Sequence, residues 1–240
     1  MGTLMEEMQS FGDLLDLQAV DLDIDRLIHT RGTLPVLDEY KTAHASTAAA
    51  QGEYEALNGE FNLASRDLDK AEGELEILEE KLGREEQRLF AGGMSARETE
   101  NMRNEVISLR SKQSEMEDLV LELIDSREKL EERVKAATIR LDEMKATEAK
   151  LEAEVGKEWK KIDAELARRE GTKAEIVPLI PAELLQLYDR LRNAKEGVAI
   201  GRLIDGVCGG CHLALSAAEQ LEVAADDPPL CLHCRRILVL

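Results

Sequence analysis

All four cysteines stand in two pairs near the C-terminus: Cys208-Gly-Gly-Cys211 and, after nineteen intervening residues, Cys231-Leu-His-Cys234. Two cysteines three apart on a tight turn aim both sulfurs to one side. Two such turns facing each other complete a tetrahedron, the geometry of structural four-thiolate zinc. The spacing therefore predicts one structural Zn2+ held by Cys208, Cys211, Cys231 and Cys234. Four thiolates fill the shell and leave no open position for substrate, which argues against metal-assisted hydrolysis. A redox pair would need a C-x-x-C opening a helix after a strand, and that context is missing. Gly209 and Gly210 are expected to let the first turn take unusual backbone angles and to free N–H groups for the sulfurs. His212 and His233 lie beside ligands and could replace one; exposed or capping positions are the simpler reading.

The residues around the cysteines suit a zinc ribbon. Residues 198–207 read as a strand entering the first turn, and residues 235–240, ending Ile-Leu-Val-Leu, as a strand leaving the second. Between them Ser216 and Glu219 form an S-x-x-E capping box that opens a short helix. Such a module is too small to fold on its own core, so the metal is expected to supply folding energy.

The rest of the chain reads as helix. Residues 12–30 carry Leu17, Val20, Ile24 and Leu27 on one face. Residues 35–90 and 96–172 each hold a seven-residue apolar repeat, from Tyr40 to Leu89 and from Met102 to Val155. Only Thr47 and Glu85 interrupt the first stripe, and Gln113, Arg127 and Glu148 the second. A sustained 3.5-residue period demands a supercoiled partner. Gly92 and Gly93 break the pattern, and Ser95 with Glu98 forms a second capping box, so the two arms should reverse at 91–97 and pair antiparallel. The expected fold is mainly α: a long antiparallel coiled-coil hairpin with a short N-terminal helix at its base, plus a small C-terminal β-containing zinc ribbon. The expected division is 1–180 for the hairpin and 181–240 for a short helix plus ribbon. The alanine-rich start of the second helix, Ala43 to Ala50, is expected to let a third helix approach.

Composition agrees with long helices and limits the function. Aromatic residues make up 3% and charged residues 34% of the chain. The formal net charge of -19 disfavours broad contact with phosphate backbones and favours basic partner surfaces. No stretch approaches a membrane span and the N-terminus lacks a signal peptide, so the expected location is cytoplasmic, where clustered thiols read as a metal site. No nucleophile–base set or phosphate loop is visible, and the chain is read as non-enzymatic.

The chain resembles the bacterial C4-type zinc-ribbon coiled-coil family. The resemblance rests on Leu17-Gln18-Ala19-Val20-Asp21 with Ile24-Asp25, and on the tip Phe90-Ala-Gly-Gly-Met-Ser-Ala-Arg97-Glu98 with Asn104-Glu105. It rests further on the segment from Ile180-Pro181 through Tyr188 to Arg192, and on the two cysteine pairs followed by Arg235-Arg236-Ile237-Leu238. The family usually has Gly after the last cysteine, where this chain has Arg235. The resemblance implies a kinked hairpin with the ribbon packed at its base and an adaptor role. In flagellated or type-III-secreting bacteria, members bind an alternative sigma factor or secretion and flagellar components, and one is linked to messenger RNA.

The function expected from this reading is a zinc-binding adaptor, chaperone-like, that mediates protein–protein interactions through the shaft and the tip. Phe90, Met94 and Arg97 are the candidate partner contacts. The alternative is a zinc ribbon that binds RNA or DNA through Arg190, Arg192, Lys195, Arg202, Arg235 and Arg236. A hairpin satisfies its own seam, so a monomer is the default, with a dimer through surplus helix as the other outcome.

Overall fold

The computed structural model describes residues 2–240, with side chains from residue 9 onward. Three helices dominate: α1 (Gly2–Gly32), α2 (Pro35–Ala91) and α3 (Ala96–Ile176). A 3-10 turn (Val177–Leu179) leads to α4 (Ala182–Ala194). The ribbon then contributes β1 (Ile200–Ile204), β2 (Val207–Cys208), α5 (Ala217–Ala225) and β3 (Ile237–Val239). Helix α1 starts ten residues earlier than the apolar pattern suggested, because no proline precedes residue 12 and a single glycine within a helix costs only about 1 kcal/mol. The chain divides into two compact units, Glu39–Leu151 and Met1–Asp38 with Glu152–Leu240.

The first unit is the coiled-coil hairpin. Leu82 is buried with Val106 and Leu109, and Leu68 and Ala71 with Val120, so the two heptad stripes face each other. Ion pairs along the edges hold one antiparallel offset: Glu86–Arg110 at 2.6 Å, Glu60–Arg133 at 3.7 Å and Glu53–Arg140 at 3.2 Å. Each exposed pair stabilises by well under 1 kcal/mol, so apolar burial carries the stability and the charges select the offset. Two of the polar seam residues reach across. Gln113 donates to Glu79 at 3.3 Å, and Glu148 lies 2.6 Å from His44 Nδ1. Hydrogen bonds from His44 and then Thr47 hold the Glu148 carboxyl below its usual value. Glu85 and Arg127 instead pair along their own helices, with Arg88 and Glu131.

At the tip, Gly92 and Gly93 take φ of 74° and 87°, a region that favours glycine. The capping box closes as expected: Glu98 N–H donates to Ser95 Oγ and Ser95 N–H to Glu98 Oε2. The alanine-rich start of α2 corrects the expectation placed on it. Ala45, Ala48 and Ala49 are exposed among the described residues. The end of α3 around Trp159 lies against α1. Trp159 Nε1–H donates to the carbonyl of Arg31 at 3.2 Å, and the Arg31 guanidinium lies 4.7 Å above the indole.

The second unit has its own core. Leu14 and Leu17 of α1, Ile180, Tyr188 of α4, Ala199, Ile200 and Ile237 are buried together. The sheet order is β2-β1-β3, with β1 antiparallel to β2 and parallel to β3. The stretch expected as one strand is in fact a hairpin. Asp205 and Gly206 take φ of 50° and 75°, and a turn with two left-handed residues matches the twist of paired strands.

Candidate metal centre

The four cysteines come together from the two turns. Cys208 ends β2, Cys211 follows it, and Cys231 and Cys234 precede β3. Their sulfurs all lie within 4.8 Å of one another, with Cys208–Cys234 and Cys211–Cys231 both at 3.9 Å. A tetrahedron with metal–sulfur bonds of about 2.3 Å has sulfur–sulfur edges of about 3.8 Å, so the cluster fits zinc. Among the described residues this is the one such group of His, Cys, Asp or Glu. Cys208 and Cys231 are fully buried; the other two are partly exposed. His212 and His233 are exposed and stand outside the cluster, and His233 lies 3.9 Å from Glu219.

Both turns share one backbone design. His212 N–H donates to the Cys208 carbonyl and Arg235 N–H to the Cys231 carbonyl, each at 2.8 Å. The residue after each C-x-x-C is left-handed, at φ 59° for His212 and 61° for Arg235. Position 235 therefore has the geometry that glycine takes most easily, and Arg235 adopts it without displacing the cysteines. Gly209 and Gly210 correct an expectation: neither has positive φ, and they serve close approach instead. A Cβ on Gly209 would sit 2.9 Å from the Arg202 carbonyl oxygen, and one on Gly210 would sit 2.5 Å from Arg236 Cδ. Gly210 N–H does point at the Cys208 sulfur, at 3.4 Å.

Burial pushes the Cys208 thiol up to about 12. Burial acts in the same direction on Cys234, but hydrogen bonds from the backbone and side chain of Arg236, and from Cys211 and Cys231, outweigh it and bring Cys234 down to about 7. Zinc binds thiolates, so loading must expel protons and its affinity falls with pH. Above about pH 7 the Cys208 proton contributes to that slope; below it the Cys234 proton adds one more. A plot of log affinity against pH from chelator competition should steepen by about one proton on crossing pH 7 downward.

A polar network joins the ribbon and α4 to α1. The buried Gln18 amide accepts from Ala199 N–H and Ile200 N–H at 2.6 and 2.9 Å and donates to the Ile200 carbonyl at 2.9 Å. It acts as a further strand residue beside β1. Asp21, 1% exposed, accepts from Lys173 Nζ at 2.7 Å and Tyr188 Oη at 2.8 Å, with Arg192 Nε at 3.4 Å. Arg192 also donates to Asp25 at 2.7 Å. Burial and then the Asp21 carboxylate push the Tyr188 hydroxyl far above its usual value, so it remains a donor. Sequence reasoning assigned no role to Gln18 or Asp21. A polar pair on the buried face of α1 was the available signal.

The nucleic-acid candidates differ in their surroundings. Arg192 belongs to the Asp21 network, and Arg236 donates to the carbonyls of Val198 and Lys195 at 2.8 and 3.3 Å. Arg190, Arg202 and Arg235 are exposed, and Lys195 is half-buried. At the tip, Phe90 is 83% exposed, Arg97 is exposed and Met94 is partly buried.

Comparison with known proteins agrees with this architecture. Residues 17–196 match the model of the CT398-like coiled coil hairpin domain, and residues 207–238 that of the C4-type zinc ribbon domain. The Mycobacterium tuberculosis uncharacterized protein Rv2229c is 28% identical over 233 residues, covering 94% of this chain and 93% of its own. Among solved structures, a Mycobacterium smegmatis protein superposes with a TM-score of 0.80 at 20% identity, over 97% of both chains. CT398 from Chlamydia trachomatis gives 0.77 at 20% identity, over 96% of this chain and 97% of its own. The HP0958 protein of Helicobacter pylori gives 0.52 at 19%, over 96% of each. At these identities the structural likeness speaks for the fold. The zinc ribbon family and the four clustered cysteines together support one structural zinc.

Proposed function

The chain belongs to the CT398-like coiled coil hairpin family, and from that membership we propose that it is a zinc-stapled adaptor whose tip docks a protein partner. The hairpin and ribbon support a protein-interaction role, because a long paired shaft displays side chains to partners while its seam satisfies itself. The observation that carries the finer reading is Phe90. An aromatic ring 83% exposed at the turn of a coiled coil contributes nothing to the seam, which Leu89 already closes. Aromatic and arginine side chains are the usual energetic anchors of interfaces, and Phe90 has Arg97 across the turn. Met94 adds an adaptable apolar surface.

A protein partner is favoured over RNA or DNA by charge. The chain carries -19, and two of the six basic candidates near the ribbon are spent on internal contacts. Among the described residues no helix is long and apolar enough to cross a membrane. Reduced zinc thiolates suit a cytoplasmic setting.

A photo-crosslinking residue at position 90 tests this reading in the source cell. A discrete protein adduct is expected, and adding Arg97→Glu should reduce it by about tenfold or more, the scale of an interface anchor. Adducts that form from the ribbon and not from position 90 would reject the tip. An RNA or DNA adduct would reject the protein partner.

A further inference from the structure

The flank of the hairpin between α2 and α3 carries an apolar groove of about 530 Å3 that includes Ile77, Leu78, Met116 and Leu119. Ile77 is 67% and Leu119 42% exposed. Ile77 and Leu119 lie outside the seam, and beside the seam-edge Leu78 and Met116 they form a continuous patch rather than scattered single residues.

The charges beside the groove follow a pattern. Glu53, Glu60, Asp67, Glu74, Lys81 and Arg88 recur every seven residues along one exposed edge of α2. The run is acidic up to Glu74 and basic from Lys81. Glu53 and Glu60 are matched by Arg140 and Arg133 of the facing helix. Among the described residues no cation of α3 pairs with Asp67 or Glu74. The stretch from Asp67 to Arg88 changes sign at its midpoint, so it is complementary to itself when reversed.

We propose that this edge is a homodimer interface in which two shafts pack antiparallel, α2 against α2, with the groove at the centre. Setting Glu74 against Lys81 of the second copy also sets Asp67 against Arg88, because both pairs share one midpoint, between Ile77 and Leu78. The twofold operation makes each pair twice and lays the apolar groove on its own copy. Lys81 and Arg88 now rest on carboxylates of their own chain, Glu105 at 3.4 Å and Glu85 at 3.0 Å. Both are exposed pairs that exchange at little cost. Lys70 and Arg84, the like charges that the same axis brings level, are each paired within their own chain, to Glu74 and Glu80. From Asp67 to Arg88 the edge runs about 32 Å, and the face of one helix is roughly 10 Å wide, so each copy covers on the order of 300 Å2. That lies well below the size of a stable interface and implies a weak, reversible dimer.

Sedimentation equilibrium of the full chain at low salt tests the proposal. The mass should rise from the 26.7 kDa monomer toward twice that value between about 1 and 100 µM, and less so at high salt. Ile77→Asp should hold the protein at monomer mass with its helicity unchanged by circular dichroism. Glu74→Lys should weaken association by about tenfold or more, and Glu74→Lys with Lys81→Glu should restore it. A wild type that stays monomeric, association that Ile77→Asp leaves intact, or a charge swap that fails to restore it would each overturn the proposal.

Discussion

Cys231→Ser should unfold the ribbon while leaving the hairpin paired. Cys231 is fully buried, and its sulfur lies 3.9 Å from that of Cys211. Removing one thiolate opens the shell and strips most of the apparent binding energy, which for structural zinc in small peptides is about 10–16 kcal/mol. The ribbon has little to replace it. Its buried cluster, apart from cysteine, is Leu215, Val223 and Leu238, and its strands are five, two and three residues long. Hydrogen exchange should show lost protection at Ala199, Ile200 and Ile237, while amides between Leu68 and Leu82 stay protected. Zinc per chain, by metal analysis, should fall from one to about a tenth or less. Retained protection at Ile200 in a zinc-free variant would mean that contacts with α1 suffice to fold the ribbon.

The second large effect is expected at Asp21. Asp21→Ala removes the acceptor shared by Lys173, Tyr188 and Arg192, itself 1% exposed. Breaking a buried ion pair from one side costs about 3–5 kcal/mol, because the remaining charge and hydroxyl are left without a partner. Lys173 and Arg192 remain 39% and 22% exposed, which places the loss toward the lower end, about 3 kcal/mol. The single tryptophan reports on it directly, since Trp159 hydrogen-bonds the end of α1. A denaturant midpoint followed by Trp159 fluorescence should fall accordingly. A loss under about 1 kcal/mol would mean that the network is solvated and holds α1 only weakly.

What the sequence disclosed, and what it hid, follows the range of the interactions. The zinc site was legible because its spacing is a local constraint: sulfurs three residues apart on one turn can only face one way. The hairpin was legible because a seven-residue period is a property of each arm alone, and both capping boxes, at Ser95 and Ser216, closed as their spacing implied. The Asp205-Gly206 pair was a hairpin signal that the apolar run around it obscured. The roles of Gln18 and Asp21 were hidden for another reason. Their partners lie 152 to 182 residues away, so nothing beside them in the chain shows that they are satisfied inside. The same distance hid which carboxylates Arg192, a nucleic-acid candidate by sequence, meets in the fold: Asp21 and Asp25. Gly209 and Gly210 were expected at a strained turn and are needed for space, a distinction that depends on where Arg202 and Arg236 fall.

Zinc held by four thiolates, and by nothing else, is the premise on which the ribbon, its docking to α1 and the adaptor reading all stand. X-ray absorption at the zinc edge, on full-length protein purified under reducing conditions, measures that shell directly. The account predicts four sulfur scatterers at about 2.3 Å and no nitrogen or oxygen. A shell containing a histidine nitrogen or a water oxygen, or a protein without zinc, would contradict it.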